Sequence, residues 1–342
     1  MTFSKDNASG LNRQKNNLRE QDEQQERGLK ILFTANLKEH HYKNITASFP
    51  SIELVASAEK EVIDKEIKDT DILVAWGRFI SKELLQKATK LEWIHALSTG
   101  VDEFLIPEVI DSSVILTNSR GIHREQMSEH VFSFLLAFVR RQFDYHNQKQ
   151  DSQWQSLEMS TLANRTIGIL GLGALGEEIA RKAKAFDMKV LATKETPRIF
   201  PHVDEIYSSD ELDKILPEVD YLVLTVPLTE KTKNMIGEHE LRQMKETAFL
   251  VNVARGEVVD EQALYRALKK RWLAGAGLDV FSQEPLPGES PLWNLDNCYI
   301  TPHVGGASPD YVKKAVELFK RNLTAYLGGN VLPTEVDKTR GY

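Results

Sequence analysis

Three polar side chains stand where chemistry is commonly done, although they lie far apart in the sequence. Arg255 sits in "NVARGEVVDEQAL" (252–264), beside a glycine at the end of an apolar run and ahead of a helix that Asp260 should cap. Glu284 lies in "LDVFSQEPLP" (278–287), before two prolines, and His303 lies in "TPHVGGASPD" (301–310), a Pro/Gly-rich turn directly after another apolar run. Each alone has an ordinary alternative: a surface ion pair, a loop carboxylate, a satisfied turn histidine. Together they form a complementary set. Reducing a ketone with a hydride also requires a proton for the carbonyl oxygen. A histidine can give it near neutral pH, and a carboxylate such as Glu284 would orient the imidazole and favour its protonated form. The planar fork of Arg255 suits a substrate carboxylate and can polarise the carbonyl.

Such chemistry needs a hydride carrier, and "TIGILGLGALGEEIARKA" (166–183) points to one. Gly171, Gly173 and Gly176 follow G-x-G-x-x-G spacing, with Ala174 and Leu175 inside the motif. A strand-like run leads in and a helix-like run leads out, the context that makes this spacing informative. The first glycine permits a tight turn, the second lets backbone approach a pyrophosphate, and the third lets helix and strand pack closely. The helix N-terminus adds free N–H groups and a positive dipole end. About twenty residues beyond the loop, an NAD site ordinarily places a carboxylate for the ribose 2′-OH. Here "KVLATKET" (189–196) puts Lys194 at that place, with Glu195 next. A lysine removes the repulsion that excludes a 2′-phosphate and offers a charge to meet it. The expected cofactor is therefore NAD(P)H, tilted towards NADP(H), with Thr193 and Arg198 as possible helpers.

The elements that must carry these residues alternate between apolar runs and helical stretches, which implies parallel sheets with crossover connections. One series comprises "LKILFTA" (29–35), "IELVA" (52–56), "DILVAWG" (71–77), "LEWIHAL" (91–97) and "VILTN" (114–118), with a helix over 81–88. A long helix is predicted over 123–150, with Val131, Phe134, Leu135 and Phe138 on one face. The second series comprises "RTIGIL" (165–170), "KVLAT", "YLVLTV" (221–226), "AFLVNV" (248–253), "AGLDV" (276–280) and "CYITP" (298–302). A final helix over 308–327 opens with Ser308 as N-cap and Pro309 at the first helical position, and it is expected to return to the first domain. The expected fold is α/β with two Rossmann-like, doubly wound parallel-sheet domains. A nucleotide domain (124–307) is inserted into a discontinuous flavodoxin-like substrate domain (29–123 plus 308–342), behind a disordered tail (1–28).

Composition narrows the function classes. A net charge of -7 argues against a nucleic-acid groove, which needs a concentrated basic face. Cys298 is the only cysteine, so neither an intrachain disulfide nor a cysteine zinc cluster can form; no metal site is expected. No apolar run approaches the ~18 residues of a membrane span, and the polar tail lacks the core of a signal peptide. A cytoplasmic enzyme is the expectation.

Several long motifs in order now identify a resemblance: "LSTGVD", "TNSRGIHREQMSEHV", "GILGLGALGEEIA", "TVPLTEKTKNMIG", "NVARGEVVDEQAL", "GLDVFSQEPLP" and "ITPHVGGASPDY". From about residue 30 onward the chain resembles the D-isomer-specific 2-hydroxyacid dehydrogenases, in their glyoxylate/hydroxypyruvate reductase branch. The resemblance implies catalytic roles for Arg255, Glu284 and His303, and substrate-carboxylate binding by backbone around Ser98, Thr99 and Gly100. It implies a cofactor site lined by Thr225, Val226, Pro227, Val253, Ala254, Asp279 and Gly305, with Asp279 near the nicotinamide carboxamide. It also implies a cleft that closes over a small 2-ketoacid, and a homodimer formed through the long helix. Trp76, Arg78, Phe281 and Trp293 are candidates for shaping the substrate pocket, whereas Trp93 reads as core. The substrate domain carries no obvious Lys/Arg cluster for a phosphate, although Arg78 and Arg120 could each contribute. Other functions share the fold: a nucleotide-sensing corepressor-like scaffold, a phosphoglycerate dehydrogenase-like enzyme, and a dehydrogenase of formate or phosphite, against which Glu284 beside "PLP" speaks. The lack of an extra domain after the final helix speaks against a long form of phosphoglycerate dehydrogenase.

Overall fold

Continuous Val/Ile/Leu runs without alternation suit strands covered on both faces, and the apolar runs pair in that way. The computed structural model describes residues 28–342. They divide into two compact units, one running up to Ser119 and resuming at Val312–Arg340, the other spanning Arg120–Tyr311. The expected disordered tail falls outside the described residues, apart from Gly28.

In the first unit, β1 (Lys30–Phe33), β2 (Glu53–Ala56), β3 (Ile72–Ala75), β4 (Trp93–Ala96) and β5 (Ile115–Thr117) form one sheet. Its order is β2-β1-β3-β4-β5 and every pair is parallel, the flavodoxin-like arrangement. The helix Tyr311–Leu327 lays Phe319 against Phe33 and Trp93, with ring centroids 5.2 and 5.4 Å apart. Trp93 is fully buried there. The C-terminal segment then runs antiparallel beside β5. Val336 N–H donates to Leu116 O at 2.8 Å, Asn118 N–H donates to Thr334 O at 3.1 Å, and Thr117 bridges Glu335. The Lys338 ammonium fastens the segment by donating to the carbonyls of Val109, Ser112 and Val114.

In the second unit, β6 (Thr166–Leu170), β7 (Lys189–Thr193), β8 (Glu205–Tyr207), β9 (Tyr221–Leu224), β10 (Phe249–Asn252), β11 (Gly275–Leu278) and β12 (Cys298–Ile300) form a parallel sheet. The order β12-β11-β10-β9-β6-β7-β8 reverses between β6 and β9, the switch point at which such sheets bind ligands. The helix Arg124–Val139 covers one face. Phe138 stacks on Phe249 at 4.3 Å, and Phe134 packs so close to Gly277 that a Cβ there would lie 2.6 Å from its ring.

The structure corrects three readings. The helix expected over 123–150 is two helices, Arg124–Val139 and Gln142–Gln150, separated by Arg141 in the left-handed region (φ 54°). The second piece buries no residue, so no packing holds it in line with the first. The strand β8 was not anticipated; its three residues include an exposed Glu205 and pair only with β7, too short and polar to stand out. The final helix begins at Tyr311 rather than after Ser308, whose carbonyl instead closes a turn by accepting from Tyr311 N–H. Among the described residues, no helix is long and apolar enough to cross a membrane.

Candidate active site

The second sheet delivers the three polar residues to one edge. Asn252, Leu278 and Ile300 are in register across β10, β11 and β12, so the chain leaves all three strands at the same level. Arg255, Glu284 and His303 lie on the segments that follow. Asn252, buried at the strand end, shapes the first turn: its Oδ1 accepts from Ala254 N–H at 3.0 Å and its Nδ2 donates to Arg255 O at 2.9 Å. Arg255 Nη1 donates to Ala254 O. Asp260 caps the next helix by accepting from Ala263 N–H at 3.0 Å.

The Arg255 turn abuts the loop that carries Glu284. A Cβ on Gly256 would lie 1.9 Å from Phe281 C and 2.2 Å from Ser282 N, so only glycine allows this approach. Glu261, in the first turn of the capped helix, also accepts from Ser282 N–H at 3.1 Å. Within the loop, Glu284 Oε1 accepts from Phe281 N–H at 3.0 Å, which aims its Oε2 at His303 Nδ1, 2.7 Å away. Both side chains remain partly exposed. An imidazole whose Nδ1–H is held by a carboxylate presents Nε2 as the atom that gives or takes a proton. Phe281 itself is buried in the core, so the loop uses its backbone rather than its ring. Trp293 is half-exposed and donates Nε1–H to Pro287 O.

His303 has φ 52°, a left-handed conformation that costs a non-glycine residue about 1–2 kcal/mol. The buried carboxylate of Asp279 offsets it. Its Oδ1 accepts from Thr301 Oγ1 at 2.5 Å and Val304 N–H at 2.9 Å, and its Oδ2 accepts from Gly305 N–H at 2.9 Å. Burial alone would raise the Asp279 pKa, but these donors and His130 together hold it below the usual carboxylate range. Sequence reasoning placed Asp279 beside the cofactor and missed this work. It also missed His130, although a histidine among the apolar residues of "EHVFSFLL" was a signal. His130 Nε2 lies 3.0 Å from Thr301 Oγ1 and 3.3 Å from Asp279 Oδ1.

The glycine loop follows β6 on the same sheet. Gly171 has φ 101°, and a Cβ there would meet Val226 at 2.9 Å. Gly176 lies against Gly171 O, which a Cβ would approach to 2.6 Å. Beside Gly173, by contrast, a Cβ would find nothing within 4 Å, and the helix Ala174–Ala185 starts there with no side-chain cap. An open cradle at an uncapped helix N-terminus fits a pyrophosphate. Thr225 supports the loop from beneath, donating Oγ1–H towards Leu170 O (3.1 Å) and Gly171 O (2.7 Å). Pro227 accepts from Thr232 Oγ1, and Val253 and Ala254 are buried beneath the strand ends. Lys194 folds back on the loop: its Nζ donates to Leu172 O at 2.6 Å and lies 5.1 Å from the Phe200 ring centroid. The Arg198 guanidinium lies 4.7 Å from the same ring. Thr193, however, is buried, and its Oγ1 accepts from Gly171 N–H.

The segment Ser98–Gly100 belongs to the first unit, just beyond β4. Ser98 Oγ donates to Gly100 O, Ser119 N–H donates to Ser98 O, and Asn118 Nδ2 donates to Thr99 O at 2.8 Å. Beneath it, burial pushes His95 down to about 3. Trp93 Nε1–H donates to Thr117 Oγ1, leaving the Thr117 hydroxyl proton for His95 Nδ1 at 2.7 Å. Also in this unit, the Arg78 guanidinium lies over the rings of Trp76 (6.0 Å) and Phe79 (5.0 Å).

Comparison with known proteins identifies the family. Residues 132–305 match the family model described as D-isomer specific 2-hydroxyacid dehydrogenase, NAD binding domain. The glyoxylate reductase of Korarchaeum cryptofilum is 37% identical over 290 residues, 83% of this chain and 87% of that protein. Among solved structures, a D-isomer specific 2-hydroxyacid dehydrogenase family protein from Aeromonas salmonicida superposes with a TM-score of 0.83 at 34% identity, covering 91% of this chain and 99% of that one. The NADPH-dependent glyoxylate/hydroxypyruvate reductase of Sinorhizobium meliloti, solved with NADP and sulfate, gives a TM-score of 0.82 at 27% identity, covering 92% and 100%. The chain belongs to the D-isomer-specific 2-hydroxyacid dehydrogenase family and is an NAD(P)-dependent oxidoreductase.

Proposed function

We propose that the protein reduces a short 2-ketoacid of the glyoxylate or hydroxypyruvate type to the D-2-hydroxyacid, with NADPH preferred over NADH. The observation that carries this reading is the 2.7 Å contact of His303 with Glu284, on loops that leave the same sheet edge as the Arg255 turn. When bound, the reduced nicotinamide supplies the hydride that adds to C2 of the ketoacid. Arg255 binds the substrate carboxylate and draws electron density towards the carbonyl oxygen. As the C=O π pair moves onto that oxygen, His303 Nε2 gives it a proton. Glu284 holds Nδ1–H and so keeps Nε2 aimed at the substrate oxygen. Backbone around Ser98, Thr99 and Gly100 is our further candidate for the carboxylate.

The preference for NADPH rests on Lys194 and Arg198, two cations gathered on the Phe200 ring near the glycine loop. The family resemblance and the exposure of Phe143, Trp154 and Met159 around the broken helix support a homodimer. Sedimentation should report twice the chain mass, and a monomer at micromolar concentration would contradict it. The main test is a panel of short 2-ketoacids with NADH and with NADPH, followed by the absorbance of the reduced nicotinamide. Oxidation that depends on the ketoacid supports the reading. No turnover with any ketoacid and either nucleotide would end it.

A further inference from the structure

We infer that His130 is a positioning residue for His303, acting through Asp279 and Thr301; this rests on the reductase reading above. The Thr301 hydroxyl spends its only proton on Asp279 Oδ1 at 2.5 Å, so His130 Nε2, 3.0 Å from Thr301 Oγ1, must be the donor in that contact. The same Nε2–H faces Asp279 Oδ1 at 3.3 Å. His130 therefore holds the carboxylate from behind, while Val304 N–H and Gly305 N–H hold it from the front. Those two amides directly follow His303, whose own N–H donates to Asp279 O at 2.8 Å. The left-handed turn that presents the imidazole is thus clamped on both sides by one aspartate, and the aspartate is aimed by His130.

The imidazole of His130 is itself well fixed. Its ring packs edge-on against Phe134 at 4.8 Å, and a Cβ on Gly305 would lie 3.0 Å from its Cδ2. One turn earlier on the same helix, Gln126 Nε2 donates to Gly306 O at 3.2 Å. The helix Arg124–Val139 therefore grips the His303 turn through side chains that do not meet the reacting atoms. Without the donor at His130, Asp279 loses one of its restraints and the turn can shift. A displacement near 1 Å at a reacting group can cost on the order of a hundredfold in rate.

The test compares His130→Leu, His130→Gln and Thr301→Val with wild type. Gln can place an amide N–H near the position of Nε2, whereas Leu fills space without a donor. His130→Leu should lower kcat about tenfold or more, leaving the ketoacid KM and the NADPH Kd within about twofold. His130→Gln should recover most of that loss. Thr301→Val should resemble His130→Leu, and the double variant should be little worse than either single one, because both break the same linkage. A kcat for His130→Leu within twofold of wild type would overturn the inference. So would equal losses for Leu and Gln, multiplicative losses in the double variant, or a Leu variant that melts early and binds NADPH poorly. Absence of ketoacid turnover in wild type would instead remove the reductase reading and this inference with it.

Discussion

Replacing Gly256 with alanine tests whether the Arg255 turn and the Glu284 loop form one unit. The added Cβ would stand 1.9 Å from Phe281 C, where ordinary contact begins near 3.4 Å, so the backbones must part by about 1.5 Å. All three nearest atoms are backbone, and no side chain can rotate away. Overpacking typically costs about 1–3 kcal/mol, and a wholly backbone clash belongs at the upper end. For a unit of this size each kcal/mol lowers Tm by roughly 2–4 °C, so a fall of about 6–12 °C is expected. The separation moves Arg255 relative to Glu284 and His303, and kcat should fall by roughly a hundredfold. NADPH affinity should fall by less than kcat does, because the glycine loop leaves a different strand. Thermal melting, fluorescence titration with NADPH and steady-state kinetics read these separately. A Gly256→Ala protein with wild-type Tm and kcat would refute the close approach and the argument built on it.

Gly173→Ala should fold as stably as wild type, since its Cβ meets no protein atom, yet bind NADPH at least tenfold more weakly; unchanged binding would place the pyrophosphate elsewhere. Lys194→Asp should reverse the preference between NADPH and NADH, and an unchanged kcat/KM ratio would remove Lys194 from cofactor selection. His95 sets a pH dependence of stability. Its folded pKa of about 3 lies below the ordinary histidine value of 6.5, so between those values the unfolded chain holds a proton that the folded chain lacks. Stability should therefore fall by about 1.4 kcal/mol per unit as pH drops through that window. His95→Gln should flatten this limb in denaturant titrations, and an equal slope in both proteins would contradict the assignment.

The central strands of both sheets were legible because they are buried on both faces, and such strands read as unbroken apolar runs. Glu205–Tyr207 escaped because an edge strand needs no such run. The break at Arg141 escaped because helical periodicity tells which residues face a core but not where the core ends. In the site, the glycine spacing was readable because each glycine answers a local demand, as the clash distances at Gly171 and Gly176 illustrate. His130 and Asn252 were not readable as site residues. Their partners are chosen by strand register and helix placement, which link positions as distant in sequence as His130 and Thr301.

The antiparallel segment beside β5 has a consequence for handling the protein. An outer strand of a sheet exposes unpaired amides and carbonyls that invite another chain. Here Thr334–Val336 occupies that margin, and Lys338 ties the segment down across three carbonyls. The C-terminal residues thus serve as a selvedge for the first sheet. A chain cut before Leu332 would retain every strand and all three candidate catalytic residues, yet present a raw edge through which molecules can join.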